Sequence, residues 1–282
     1  MSDGAVVVYF YDGTLEGFLS AIFDAYTHPT KPDIIATEDG FQQRLEQITF
    51  FAETKKIKYE RVYRGIMNHL GAEGYDKVRT VFLSSNPEKD TLLYRYLVHG
   101  FSVGRAIHID IAHQNVFPVE HLYRETWRET RQIMQFARFA RMDNGIYFAK
   151  VNPKHNVVPL VMNHFARRFN IQPFMIYDEI HHLAGIYDMR RWCLRYVDDL
   201  TAPDCSEDDR RYQRLFKTFY DAIAIEERVN HRQRRTFMPM RFWSNLTEMT
   251  YREREKDAPR TIGLPASDEV RQAGVPALDP PS

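Results

Sequence analysis

Cysteine and net charge are both scarce in this sequence. Only two cysteines, Cys193 and Cys205, occur among 282 residues, and they form no Cys-x-x-Cys pair. We therefore expect a reduced, cytoplasmic protein without a structural disulfide. The 38 basic and 38 acidic residues cancel, so the whole chain exerts no long-range attraction on nucleic acid. Any binding of phosphate has to come from a local cluster.

Long apolar runs and glycine-rich phosphate loops are also missing. No stretch is apolar for long enough to cross a bilayer. The apolar residues 5–10 are followed by Asp12 and Glu16, and no basic region precedes them, so we expect no secretory leader and no membrane contact. Walker, Rossmann and nucleophile-elbow signatures are lacking. Asp12-Gly13-Thr14 is therefore interpreted as a simple turn between a strand and a helix.

The residues that are present indicate a folded domain of mixed secondary structure. Aromatic residues make up 13% of the chain, which argues against global disorder. One β-rich segment, Ala5–Tyr11, precedes several helical patterns, and a hairpin signal at Asp143-Asn144-Gly145 opens a β-rich second half. The pattern predicts an α+β fold. It comprises a helical first half with one N-terminal strand, an antiparallel sheet of about five strands, a C-terminal helix and a basic arm.

We expect a single domain over residues 1–251, followed by a tail. Residues 252–282 are rich in proline and poor in large apolar side chains, which is typical of a loosely ordered segment. Residues 33–53 show neither a clear helical nor a clear strand periodicity, apart from a candidate short strand near Ile34. Ser206 is predicted to cap the C-terminal helix, because Asp208 and Asp209 suit a helix N-terminus.

The basic arm, residues 225–243, concentrates positive charge and aromatic side chains. It contains no acid between Glu227 and Glu248. Arginine pairs with phosphate, and aromatic rings stack on unpaired bases, so we predict nucleic-acid contacts there. The predicted contact residues are Arg228, Asn230, Arg232, Arg234, Arg235, Arg241 and Trp243. The alternative is an arm that packs on the core, with its arginines paired to the protein's own acids.

Two histidines and an arginine form a candidate catalytic set. His155 lies in the turn N-P-K-H-N, and His164 and Arg168 lie four residues apart on the helix that follows. Residues at this spacing share a helix face, so the three side chains could surround one pocket, where imidazole transfers protons and guanidinium holds phosphate. The alternative is a buried polar brace.

His108, Asp110 and His113 follow no recognised zinc spacing, so we expect no metal.

Several stretches together resemble a bacterial family assigned to DNA metabolism or repair. They are V-Y-F-Y-D-G-T-L-E-G-F-L, G-I-Y-F-A-K-V-N-P-K-H-N, H-F-A-R-R-F and I-E-E-R-V-N-H-R-Q-R-R-T-F-M-P-M-R-F-W, and the similarity covers residues 5–249. The family is a domain of unknown function. It is similar to a region fused to uracil-DNA glycosylase in some bacteria, and elsewhere it stands alone beside a radical SAM protein assigned to DNA repair or modification.

The resemblance implies DNA as a partner and a radical SAM protein as a co-worker, and it identifies neither a cofactor nor a catalytic residue. We therefore expect a nucleic-acid-binding accessory factor in DNA repair. One alternative is an enzyme that acts on a flipped or single-stranded base through the His/Arg pocket. Another is a small-molecule protein whose arm is structural. A pocket enclosing both histidines beside the arm would favour the enzyme, and a flat basic face would favour the accessory factor.

Overall fold

Two β-sheets, each covered by helices, make up the computed structural model of the protein. It describes residues 5–39, 41–42, 46–198, 200, 206–223, 238–247 and 249. The predicted tail, residues 252–282, lies outside these ranges, as do Arg228, Asn230, Arg232, Arg234 and Arg235 of the basic arm. Within the described ranges, no helix has both the length and the apolar composition that a membrane span needs.

The first sheet has three parallel strands in the order β2-β1-β3. The central strand β1 (Val6–Tyr11) is flanked by β2 (Ile34–Thr37) and β3 (Gln47–Phe51). The prediction of a single strand in this half is therefore wrong, whereas the candidate short strand near Ile34 is confirmed as β2. The sequence of β3, Q-I-T-F-F, is rich in β-branched and aromatic residues that favour a strand, but it lies within residues 33–53, which the sequence analysis left without a clear assignment.

Five helices surround this sheet or follow it. They are α1 (Leu15–Thr27), α2 (Lys56–His69), α3 (Gly71–Phe82), α4 (Lys89–Val103) and α5 (Phe117–Phe136), with the short 3-10 helix η1 (Gly104–His108) after α4. The outer edge of β2 is covered by α4, because the Thr91 hydroxyl bonds both backbone groups of Ile35. Covering an edge strand in this way prevents further strand pairing.

The second sheet has five strands in the order β4-β5-β6-β7-β8, as many as the sequence predicts. They are β4 (Ala140–Arg141), β5 (Tyr147–Val151), β6 (Phe174–Asp178), β7 (Leu183–Tyr187) and β8 (Trp192–Tyr196). The expectation that all pairs are antiparallel is wrong, because β5 and β6 pair in parallel. The helix between them, α6 (Val158–Arg168), crosses the sheet and returns the chain to the same end.

The predicted hairpin joins β4 to β5, with Gly145 at a positive φ of 81°. After β8 come α7 (Glu207–Ile223) and a second 3-10 helix, η2 (Met240–Asn245). The predicted cap of α7 is present, because the Ser206 hydroxyl accepts a hydrogen bond from the Asp209 amide at 3.3 Å. In the sequence, α7 ends just before the basic arm, and η2 includes the last four residues of the arm, 240–243.

One helix, α5, belongs to both hydrophobic cores. Its N-terminal residues Val119 and Leu122 pack with β1 and the first helices. Its C-terminal residue Ile133 packs with α6, the second sheet and Phe242 of η2. Twenty residues of helix extend about 30 Å, which is long enough to serve both cores. The polar residues on the buried stripe of α5 therefore lie where the two cores meet.

The turn from β1 to α1 leaves no room for a side chain at residue 17. Thr14 caps α1 through the Gly17 amide at 2.9 Å. The Asp12 carboxylate accepts from the Thr14 hydroxyl at 2.6 Å and from the Thr54 hydroxyl at 2.7 Å. A Cβ atom at Gly17 would overlap the Asp12 carboxylate. Glycine at this position thus permits the hydrogen bonds of Asp12.

We expect Gly17→Ala to destabilise the protein and Gly65→Ala to leave it unchanged or more stable. At Gly65, on α2, an added Cβ would meet Phe101 at 3.5 Å, an ordinary contact. Alanine gains roughly 1 kcal/mol over glycine inside a helix, whereas overpacking costs roughly 1–3 kcal/mol. Urea unfolding of both variants measures the difference, and equal midpoints would contradict the steric argument.

Candidate functional site

The turn between β5 and α6 is held by the carboxylate of Glu129, on α5. Glu129 Oε1 accepts a hydrogen bond from the Lys154 amide at 2.9 Å, and Oε2 accepts from the His155 amide at 2.6 Å. The Asn156 amide donates to the carbonyl of Leu83, at the end of α3, at 2.9 Å. Two helices thus fix the backbone of the turn, and with it the position of the His155 ring.

The imidazole of His155 is buried and points towards Ser85. The ring is 2% exposed. The Ser85 amide donates to Nδ1 at 3.1 Å, and the Ser85 hydroxyl lies 3.1 Å from the same atom. Because an amide can only donate, Nδ1 carries no proton, and the proton of the neutral ring is on Nε2. Nε2 lies 3.7 Å from Glu125 Oε1.

Burial keeps this ring neutral near pH 7. It lowers the pKa of His155 below its ordinary value, against the opposing charges of Glu129 and Glu125. The neighbouring Glu125 is favoured in its charged form, because a hydrogen bond from Lys154 lowers the pKa of its carboxyl group. The site therefore holds a neutral imidazole whose Nε2 atom lies near the Glu125 carboxylate.

Arg241, the last arginine of the basic arm, binds this cluster. Its Nη2 atom donates to Glu129 Oε1 at 2.6 Å and lies 3.4 Å from Gln132 Oε1. The guanidinium carbon lies 4.7 Å from the centre of the Phe242 ring. Arg241 was predicted to contact nucleic acid, and in the structure it pairs with a buried acid of the protein itself.

The other described residue of the predicted nucleic-acid contacts, Trp243, also has an internal partner. Its indole N–H donates to the Met238 carbonyl at 3.0 Å. The remaining five residues lie outside the described ranges, so their role stays a prediction. At the C-terminal end of the arm, Arg241 and Trp243 thus have partners within the protein, and the nucleic-acid contacts of all seven residues stay a prediction.

A small cavity of about 250 Å³ adjoins His155. It is lined by Glu125, Arg128, Glu129, Gln132, Lys154, His155, Pro239 and Arg241. His164 and Arg168 do not line it. Both lie on the exposed face of α6, where His164 contacts the Phe165 ring edge-on at 5.1 Å. The structure thus brings His155 to Arg241 rather than to His164, and the catalytic role of the three residues stays a prediction.

Glu129 was not singled out from the sequence, although a signal for it exists. The buried residues of α5 recur at helical spacing, and they are Val119, Leu122, Thr126, Glu129, Thr130 and Ile133. A glutamate on such a stripe is buried with the apolar residues, and a buried charge needs partners. Ser85 gave no comparable signal, because only the fold brings it to His155.

One group of side chains has the composition of a metal site. His99, Asp110 and His113 offer ligand atoms within 4.8 Å of one another. His108, considered with Asp110 and His113 from the sequence, instead approaches the Leu70 carbonyl at 2.8 Å. The Asn115 amide donates to His113 Nδ1, which leaves the proton of the neutral ring on Nε2. A cation at Nε2 would have to displace that proton, so the cluster supports no assignment.

A groove of about 530 Å³ lies between α7, the β4–β5 hairpin and the η2 region. Tyr212 and Phe216, one helical turn apart on α7, line it and are 69% and 44% exposed. Phe139 and Phe148 contribute further rings, and Lys150 lies on the rim. Lys150 pairs with Glu179 at 2.6 Å, but both side chains are nearly half exposed. A phosphate could replace such a surface partner at little cost.

We expect Glu129→Ala to destabilise the protein by about 3 kcal/mol, because it leaves two buried amides without their acceptor. Glu125→Ala is the matched control on the same helix. Glu125 is 23% exposed and pairs with the surface residue Lys154, so its loss should cost about 1 kcal/mol or less. Urea unfolding compares the two, and similar losses would mean that Glu129 is not the anchor.

The lowered pKa of His155 predicts a pH-dependent stability. A base whose native pKa lies below its unfolded value of about 6.5 stabilises the fold fully above that pH. This stability is lost as the pH falls towards the native pKa. We therefore expect His155→Gln to show a smaller loss of melting temperature between pH 7.5 and 5.5 than the wild type. Exposed His164→Gln should keep the wild-type slope, and identical slopes in all three proteins would contradict the assignment.

Comparison with known proteins gives a family without a function. No curated protein matches the chain. A family described as a domain of unknown function, DUF4130, matches residues 87–248. These residues run from the turn before α4 through η2 and include Glu129, His155 and Arg241. The match covers more than half of the 282 residues, so the chain belongs to the DUF4130 family.

Proposed function

We propose that the protein binds single-stranded DNA as an accessory factor of DNA repair or DNA metabolism. The groove between α7 and η2 is the observation that carries the proposal. It combines exposed aromatic rings with a cation on its rim. Rings on a concave surface stack on unpaired bases whatever their identity, and cations beside them attract the backbone.

The position of the groove in the sequence adds a second argument. Its walls include α7, which precedes the basic arm, and Ser244, Asn245 and Thr247, which follow it. Arg228, Arg232, Arg234 and Arg235 therefore belong to a connection between two walls of the groove. In a protein with no net charge, such a local cluster supplies the attraction to phosphate that the whole chain lacks.

A radical SAM partner and an enzymatic function have less support than the binding of single-stranded DNA. A radical SAM protein as the partner follows from the sequence resemblance alone. An enzyme acting on a flipped base has weaker support than the accessory factor, because the cavity at His155 is lined by neither His164 nor Arg168. His155 Nδ1 is also occupied by a backbone amide, which competes with a role as a general base.

Binding of a fluorescein-labelled single-stranded oligonucleotide, followed by anisotropy over a salt series, tests the proposal. Stacking contributes roughly 1–3 kcal/mol per base, so Tyr212→Ala with Phe216→Ala should weaken binding by roughly tenfold or more. Replacing Arg228, Arg232, Arg234 and Arg235 by alanine should also flatten the salt dependence, because fewer counterions are released.

The matched control is Tyr26→Ala, an exposed tyrosine on α1 (45%) outside the groove, which should bind like the wild type. Duplex DNA of the same sequence measures the strand preference, and we expect it to bind more weakly than the single strand. Absence of binding at low salt, or equal binding by the groove variant and the wild type, would overturn the proposal.

A further inference from the structure

A larger crevice, of about 1000 Å³, is formed by the first half of the chain, between β2 and the start of α4. One wall consists of Ile34, Ala36 and Thr37, and Thr37 is the last residue of β2. The other consists of residues 84–92 and Arg95. Ligands of parallel sheets bind beside the carboxyl ends of the strands. The crevice is at this position and exceeds the volume of the groove and of the His155 cavity.

A buried carboxylate on the wall of this crevice has one oxygen without a donor, although the Tyr11 hydroxyl is hydrogen-bonded to the same carboxylate. Asp90 is 4% exposed and lines the wall, and its Oδ1 atom has no hydrogen-bond partner among the described residues. Burial raises the pKa of Asp90, against the opposing effects of the Lys89 ammonium and the Tyr11 hydroxyl. A buried carboxylate oxygen without a donor destabilises the fold. A ligand that brings an N–H group to Oδ1 would remove this cost.

The charges around the crevice disfavour a free phosphate as the ligand. Asp39, Glu88 and Asp90 are three acids on its walls. The Lys89 ammonium is already bound to the Phe82 carbonyl at 2.6 Å and lies over the Phe82 ring. Among the lining residues this leaves Arg95, on the exposed side of α4, to meet an anion. The ligand should therefore be neutral or cationic and rich in hydrogen-bond donors.

An aromatic ring on the same crevice narrows the class of ligand. Phe41 lines it, and its other contact is an edge-to-face packing on Phe10 at 5.2 Å. Phe41 and Asp90 thus line the same crevice, and an aromatic ring together with a carboxylate can read an amino-bearing base, by stacking and by accepting from its exocyclic N–H₂. The volume is large enough for a nucleoside.

We propose that the crevice between β2 and α4 binds a nucleoside whose base carries an exocyclic amino group, with Asp90 as the acceptor and Phe41 as the stacking ring. The site is separate from the groove between α7 and η2, with which it shares no lining residue. It therefore does not depend on the proposed DNA binding.

Titration calorimetry with matched nucleosides tests this inference on the full chain. Cytidine carries an amino group at C4 and an acceptor at N3, where uridine carries a carbonyl and an N–H group, and adenosine and inosine differ in the same way at C6 and N1. We expect cytidine and adenosine to bind at least roughly tenfold more tightly than uridine and inosine, since each of the latter places a carbonyl where the amino group would donate to the carboxylate. No measurable binding at millimolar concentration, or equal binding within both pairs, would overturn the proposal.

Variants of the crevice and of the groove show which of the two sites binds the nucleosides. Asp90→Asn keeps the size of the side chain and should abolish the preference for amino-bearing bases, whereas Asp143→Asn, in the exposed hairpin turn, should leave it unchanged. If Asp90→Asn does not fold, Phe41→Ala should weaken binding of both pairs by roughly tenfold. The Tyr212→Ala and Phe216→Ala variant should bind nucleosides normally. If nucleoside binding is lost in that variant, the bases bind in the groove and the crevice assignment is wrong.

Discussion

The buried carboxylate of Glu129 is the interaction on which the arrangement of the two cores depends. It lies on α5, the helix that both cores share, and is 3% exposed. A charge at this depth is tolerated only when donors surround it. The amides of Lys154 and His155 and the guanidinium of Arg241 are those donors. One side chain thus ties the middle of the chain to residues more than a hundred positions later, and the second sheet is fixed against α5 through it.

This role of Arg241 changes the interpretation of the basic arm. From the sequence, seven residues formed one set of nucleic-acid contacts. Arg241 and Trp243 instead hold the end of the arm, because their donors bind Glu129 and the Met238 carbonyl. Phe242 between them is 3% exposed and joins the second core. The structure therefore describes the C-terminal end of the arm as a part of the protein's own packing.

Local signals in the sequence predict the local structure well, and they miss what long-range pairing decides. Ser206 as a cap and the turn at Gly145 follow from residue chemistry at neighbouring positions, and both are present. The parallel pairing of β5 with β6 depends on how α6 crosses the sheet, which no residue in either strand encodes. His155 could be chosen from its turn. Its partners Ser85 and Glu129, 70 and 26 positions away, could not, because neither contact is local.

A continuous path of hydrogen bonds runs from the crevice to the arm. Ser85 lines the crevice and binds His155, the His155 amide binds Glu129, and Glu129 binds Arg241. Because these groups are buried or paired at every step, moving one of them would leave a neighbour without its partner, which is costly at low dielectric. The path therefore acts as a rigid brace. It holds Ser85, on the wall of the crevice, and Arg241, in η2, in one geometry.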